Sequence, residues 1–351
     1  MNKNIYILPV SATFRDIKYP EKIIRSVGGL ERRLKGQKLN ITIGKQIQKD
    51  NMSYIYEARL DGKSVLVKHT ENVVPQTPIE FLIMSDAHDT DARVLKRLDE
   101  DENLKAPRIL HNFSKYTTII MEDVRSQGYS NVSQQILKKK LPSQSALQIG
   151  RALAHLAQAS QTWEEFKTNE SAHLSFYERS VEMLVAFPQD IEHYRYLEDQ
   201  FAQYAEEKEE QAKRYRFFVW PESNPNNMYI NKHGDVVFSN FGRTHWGDQQ
   251  YMLAVFVAHI MIYSLLGYMP YGKAIYYIKT CLKAYKEIST IRDEQVFSQY
   301  VGMEILHRSF GKDMNVLSQK EKLLLQKLGL MIVTEKAKTI ATLLNQFKKT
   351  K

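Results

Sequence analysis

The sequence predicts an α+β chain of two lobes, a small antiparallel sheet followed by a larger, mainly helical body. Three observations carry that expectation. Apolar residues alternate with period two between residues 39 and 69 and flank an Asp61-Gly62 turn, the pattern of strands joined by a hairpin. From Ser143 onward apolar residues recur at helical spacing, as in Ile149, Leu153 and Leu156. Between the two runs lies a polar, glycine-containing stretch, Glu122 to Asn131, which reads as the connection between lobes.

Composition sets the outer limits. The 351 residues suffice for one large bilobal fold, and 43% hydrophobic with 11% aromatic residues supports a packed core and excludes a disordered chain. A formal charge of +9 favours anionic partners. The lysines are spread along the chain as on a solubilising surface, so a nucleotide is expected and nucleic acid is not. With Cys281 alone no intramolecular disulfide can form, and no Cys/His cluster has zinc spacing. The apolar run Ile5 to Val10 is shorter than a secretory core, and the expected location is cytoplasmic. Tyr251 to Tyr268 is apolar and at the margin of spanning length, but it contains His259. A buried core helix is expected there, not a membrane span.

The elements follow in order. Residues 1–38, punctuated by Pro9, Pro20 and Gly28-Gly29, form an N-terminal extension that either packs as a short strand and helix or stays mobile. Leu39 to Ile47 is a strand. Tyr54, Tyr56, Ala58 and Leu60 share one face of a second, and Ser64 to Lys68 is the returning third. A helix is expected from Asp89 to Leu98 and a buried strand from Thr117 to Met121. Residues 39–121 make the N-lobe, 122–131 the hinge and 132–351 the helical C-lobe. In the C-lobe Ser143 is a candidate N-cap, and helices are expected near 171–185, 189–212 and 250–266. Short strands at Phe217–Trp220, Met228–Ile230 and Val236–Ser239 surround a loop-rich segment, 220–248.

Chemistry concentrates in a few positions. Lys68 ends an apolar strand, where a long cation can reach the phosphates of a nucleotide; a strand-end lysine reaching water is the plainer alternative. Asp91, one turn into the next helix, or Glu80 would hold it in place. The loop before Tyr54 lacks glycine, which leaves Ser53 and backbone N–H groups to meet phosphate. Backbone groups of Met121-Glu122-Asp123-Val124, chiefly at Glu122 and Val124, can bond an adenine edge. The strongest signal is a spaced frame in which Glu222 stands five residues before Asn227 and Asn240-Phe241-Gly242 follows thirteen later. In phosphotransferases such a frame supplies a catalytic base and two magnesium ligands.

With these parts in this order, residues 39 to 310 resemble the aminoglycoside phosphotransferase and choline kinase-like superfamily, which has the protein-kinase fold. Lys68 falls on its strand lysine, Asp91 in TDARVLKRL on the partner acid, and MEDV (121–124) on the hinge. ALAHLAQA (152–159) looks like the helix before its substrate region. WPESNPNN (220–227) falls on its H-G-D-x-x-x-x-N loop, and SNFGRTHWGDQQYMLA (239–254) on the metal-binding strand end and the motif after it.

The departures fall where that family does its chemistry. Trp220, Pro221 and Glu222 replace the loop histidine, glycine and catalytic aspartate. Asn240 replaces the principal metal aspartate, and Met252 stands where a second acid is usual. The resemblance implies ATP as nucleotide, Glu222 in the catalytic place, and Asn227 and Asn240 as Mg2+ ligands. Magnesium prefers carboxylate and phosphate oxygens, so two amides predict weak or absent metal. The extra methylene of Glu222 displaces its carboxylate by about an ångström, a shift that can cost on the order of 10²-fold in rate. The expectation is therefore a degenerate, pseudokinase-type binding or regulatory module with a small molecule or protein as further partner. The alternative is an active kinase acting on a hydroxyl-bearing small molecule.

Overall fold

The structure, a computed structural model, describes residues 27–49, 53–70, 78–166, 217–310, 317–334 and 337–350. The helices expected near 171–185 and 189–212 lie outside the described residues.

The first lobe is a five-stranded antiparallel sheet ordered β1-β2-β3-β5-β4. Its strands are β1 (Ile41–Lys49), β2 (Ser53–Leu60), β3 (Lys63–Thr70), β4 (Ile109–Phe113) and β5 (Thr118–Glu122). The β2–β3 hairpin closes at Asp61 and Gly62, both at positive φ (50° and 79°). That pair suits the right-handed twist of the strands it joins. Period two then divides the sheet into two faces. Ile43, Tyr56, Ala58, Val67 and Ile120 pack against Leu30 and Leu34 of α1 (Val27–Gly36). Ile55, Leu66, Ile119 and Met121 pack on the opposite side with Val94, Leu95 and Leu98 of α2 (Pro78–Asp99), in the core shared with the helical body. Part of the N-terminal extension is thus a helix closing the back of the sheet.

Two boundaries correct the sequence reading. Helix α2 begins at Pro78, not Asp89, so Asp91 sits in its fourth turn rather than its first. Ser85, Asp86, Asp89 and Thr90 are poor helix formers that mask the start, whereas Pro78 is pre-set for a first helical position. Ser143 is not an N-cap. It lies in a turn whose carbonyl accepts the Ala146 N–H, and α4 runs from Ser145 to Ala159.

The second lobe opens with β6 (Ser130–Asn131) and α3 (Val132–Leu137) before α4. After residue 217 come β7 (Phe217–Val219), β8 (Met228–Ile230), β9 (Val236–Phe238) and β10 (His245–Gly247). Helices α5 (Gln250–Leu265), α6 (Tyr271–Lys286), α7 (Glu294–Phe310), α8 (Gln319–Thr334) and α9 (Ile340–Thr350) complete it. Helix α5 is buried along nearly its whole length, as a helix apolar on every side must be. Among the described residues no helix is long and apolar enough to cross a membrane.

Glu304 on α7 is buried deep in the helical core. Arg308 Nε lies 2.7 Å from its Oε1 and His259 Nε2 3.3 Å; Tyr251 Oη donates to Oε2 at 3.1 Å. Burial alone would raise the Glu304 carboxyl, but the Arg308 charge and the His259 hydrogen bond hold it well below the usual carboxylate range. Burial pushes His259 below its ordinary 6.5 despite the pull of Glu304, and burial lowers His88 as well. Both histidines therefore resist protonation in the fold more than in the unfolded chain, which takes up protons below about 6.5. Folding stability is full above that value and falls as pH drops through it, by as much as ~1.4 kcal/mol per pH unit for each histidine. Tm measured from pH 7.5 to 5.5 is expected to decline, with a shallower slope in His259→Gln, which keeps a donor for Glu304. A flat profile would contradict the lowering of the two histidines by burial.

Candidate active site

Lys68 is on β3 with the same parity as Leu66, so it faces α2 and the helical body, opposite Ile55 on β2 and Ile119 on β5. A cation among apolar neighbours needs a counter-charge. Asp91 supplies it, with Oδ2 2.9 Å from Nζ; the two side chains are only 7% and 2% exposed. Nζ also donates to Asn240 Oδ1 at 2.8 Å. The second Asp91 oxygen, Oδ1, accepts the Phe241 backbone N–H at 2.5 Å. One lysine and one carboxylate thereby join the sheet, α2 and the loop after β9. Asp91 is thus a partner of Lys68, as expected; the Glu80 side chain lies outside the described residues.

Asn240 has φ of +67°, a left-handed backbone that asparagine and aspartate tolerate better than other side chains. Its carbonyl accepts the Trp220 Nε1–H at 2.9 Å. Gly242 is pressed against α2: a Cβ there would stand 3.0 Å from the Ala87 carbonyl oxygen. The Asn-Phe-Gly corner is thus shaped by backbone limits at both ends.

The Glu222 loop is anchored from several sides. Trp220 is fully buried, with ring centroids 5.1 Å from Phe238 and 5.0 Å from Phe241. Ser223 Oγ donates to the Met252 carbonyl at 2.7 Å, which ties the loop to α5. Asn227 Nδ2 donates to the Glu222 carbonyl at 2.8 Å, and the Ser239 N–H donates to the Asn227 carbonyl at 3.0 Å. Asn227 and Asn240 therefore belong to adjoining loops at one end of the β8–β9 hairpin. The Glu222 side chain is 14% exposed. Arg243 Nη1 lies 3.8 Å from Oε1, and Asn224 Nδ2 lies 3.4 Å from Oε2.

Arg243 escaped the sequence reading. Its one signal is position, directly after Asn240-Phe241-Gly242. Ser223, which holds the loop to Met252 on α5, escaped as well.

The remaining candidates are more committed elsewhere. The Glu122 N–H donates to the Arg108 carbonyl at 3.0 Å, and the Val124 carbonyl accepts the Tyr129 N–H at 3.3 Å. Neither of those two groups is open to an adenine edge. Asp123 is buried beneath the connection: Arg125 Nε and Nη2 each donate to it at 2.8 Å, Ser64 Oγ at 3.0 Å, and Arg125 Nη1 reaches Glu57 on β2 at 3.1 Å. Ser53 is buried at the start of β2, paired with Thr70.

A magnesium ion would need hard oxygen donors with negative charge. Asn240 Oδ1 already accepts from Lys68, Asn227 is neutral, and Glu222 faces Arg243. Among the described residues no group of three or more His, Cys, Asp or Glu is placed to hold a metal. The donor set does not fit a protein-held Mg2+.

No protein-family model and no curated protein matches the chain. Its fold does match solved structures. An amicoumacin kinase in complex with AMP-PNP, Ca2+ and Ami superposes with a TM-score of 0.57 at 13% identity, over 88% of this chain and 95% of that one. An ethanolamine kinase of Plasmodium vivax gives 0.52 at 14%, over 95% and 93%. A thermostable aminoglycoside phosphotransferase mutant in ternary complex with ADP and hygromycin B gives 0.51 at 14%, over 88% and 99%. The chain has the bilobal, protein-kinase-like fold of these phosphotransferases.

Removing one partner of a buried ion pair strands the other. Asp91→Ala is expected to cost about 3–5 kcal/mol in urea unfolding. Lys68→Met/Asp91→Leu together should recover part of that loss and not all, because the Phe241 N–H stays unpaired. Equal stability of Asp91→Ala and the parent protein would rule out the pair.

Proposed function

We propose that this kinase-fold chain binds a nucleotide, ATP or ADP, between its sheet and its helical body, with phosphoryl transfer impaired or lost, and acts as a binding or regulatory module. Residues 39–121 would be the nucleotide-covering lobe, 122–131 the hinge and 132–351 the platform, with 1–38 an extension. The observation that carries this reading is the Lys68 bridge. Its ammonium lies between a carboxylate and an amide, where a transferring enzyme needs that amide position to carry charge for a metal. The lysine remains in place for phosphate, and the cation that would neutralise the developing charge has lost its grip. Ser53 and the backbone at Glu122 and Val124 are proposed to line the nucleotide, within the limits of the bonds those groups already make. A cytoplasmic setting, where nucleotide is supplied, suits the reading.

A second reading rests on Glu222. It keeps a carboxylate, partly exposed, on the loop where a base would orient an acceptor hydroxyl, and solved structures of this fold include kinases of small molecules such as ethanolamine. In that case the chain is an ATP-dependent phosphotransferase of a hydroxyl-bearing small molecule.

Steady-state assays across amino alcohols and hydroxylated amines, with ATP and Mg2+ or Mn2+, separate the two. The module reading expects no turnover above background. Turnover that is lost in both Glu222→Ala and Lys68→Met would establish the enzyme instead. Asn240→Asp returns one charge at a backbone geometry aspartate accepts, and it is expected to tighten Mg2+-dependent nucleotide binding about tenfold, or roughly 1.4 kcal/mol. An unchanged affinity by calorimetry would remove the neutral amide as the cause of metal loss.

A further inference from the structure

We propose that the helical body carries a surface that lies on an anionic phospholipid bilayer, formed by the end of α3, the loop after it and the outer face of α6. Its lysines play no part in the nucleotide reading above.

The charge of the chain is unevenly placed. Residues 124–163 and 249–286 together contain nine Lys and Arg and no Asp or Glu. Less these nine, the chain's 49 Lys and Arg equal its 40 Asp and Glu. The whole excess of +9 thus sits in two stretches, although lysines as such are spread along the chain. The fold brings the stretches together. Gly150 of α4 lies against the Cys281 carbonyl and Ala284 of α6, and Ser145 Oγ meets Tyr277 Oη at 2.7 Å. Lys273 Nζ donates to the Leu141 carbonyl at 2.7 Å, which sets the Lys138–Leu141 loop beside the start of α6. Arg125, Arg151 and Lys286 pair with Asp123, Glu287 and Glu294, outside the two stretches. The other six, Lys138, Lys139, Lys140, Lys273, Lys279 and Lys283, have no carboxylate partner among the described residues.

Apolar side chains are exposed in the same place. Five large hydrophobics are exposed among the described residues, and three of them, Leu137, Tyr268 and Tyr276, border these lysines. Leu137 directly precedes Lys138 and follows Ser133 by one turn of α3. Ser133 Oγ meets Tyr263 Oη at 2.5 Å, and the Tyr268 ring centroid is 6.2 Å from that of Tyr263. Tyr276 is 53% exposed on α6, with Lys279 and Lys283 one and two turns further along the same outward side. Lysines with leucine and tyrosine among them suit a lipid headgroup layer. Ammonium groups meet the phosphates, tyrosine rings sit at the boundary and a leucine enters the acyl region. Nucleic acid fits less well, because both arginines of the stretches, the residue type that grips phosphate and bases bidentately, are held by carboxylates.

Sedimentation of the full chain with vesicles tests this, using phosphatidylcholine alone and phosphatidylcholine mixed with phosphatidylglycerol. Binding is expected only to the mixed vesicles and falls as salt is raised. Lys138→Gln/Lys139→Gln/Lys140→Gln should weaken it about tenfold or more, and Leu137→Ser/Tyr276→Ser about threefold or more at fixed salt. Lys38→Gln/Lys63→Gln/Lys115→Gln removes the same charge from exposed positions of the sheet lobe and should bind as the parent does. Melting temperatures equal to the parent's in all three variants would show that the losses are not unfolding. No binding to phosphatidylglycerol vesicles at low salt would overturn the proposal. So would an equal loss in the sheet-lobe variant, which would reduce the effect to net charge. Tighter binding of an oligonucleotide than of vesicles, retained in Leu137→Ser/Tyr276→Ser, would overturn it in favour of nucleic acid.

Discussion

Lys68, Asp91 and the Asn240–Phe241 peptide come from distant stretches of chain and meet through one ion pair and two hydrogen bonds. A charged lysine opposite Ile55 and Ile119 needs a counter-charge in that position. Asp91 must turn inward from α2 to meet it, and the same carboxylate then fixes the Phe241 N–H. The position of α2 against the sheet and the position of the Asn240 loop against both are thus set by a single buried charge. Burying an ion pair adds little net stability, but its orientation is hard to change without stranding one member. The arrangement specifies geometry more than it stabilises the fold.

Helix α5 provides the other fixed reference. It is apolar on all sides and buried, and the carbonyl of Met252 in its first turn receives Ser223. The loop carrying Glu222 is therefore seated on the most enclosed element of the helical body. His259, further along the same helix, meets the buried Glu304 carboxylate with Arg308 and Tyr251. His259 and Tyr251 thereby join α5 to Glu304 on α7, Ser223 holds a loop to α5, and Arg308 braces the same carboxylate from within α7.

Much of this was legible in the sequence where a local rule decides it. Asp61-Gly62 announces its hairpin because the turn demands positive φ at both places, and parity along β3 sends Lys68 to the side that Leu66 takes. Glu222, Asn227 and Asn240 could be grouped because a short hairpin brings the loops at its ends together. The reading failed where the outcome depends on packing between distant segments. The start of α2 was hidden by residues that favour turns in isolation and are helical in the fold. Ser143 had the right chemistry for a cap but a turn intervened. Arg243 follows a glycine with no periodicity to mark it, and its meeting with Glu222 exists only because two loops were folded side by side. The same holds for the Val124 carbonyl, which looks like any strand exit until Tyr129 occupies it.

The Arg125 side chain clasps Asp123 and reaches Glu57, and Ser64 joins the same carboxylate. Residues 122–125 are in effect riveted to β2 and β3. Gly128, at φ of +87°, closes this segment, its N–H donating to the Arg125 carbonyl at 3.1 Å. The strand exit at Glu122 is thereby part of the sheet's own frame and not a loose connection.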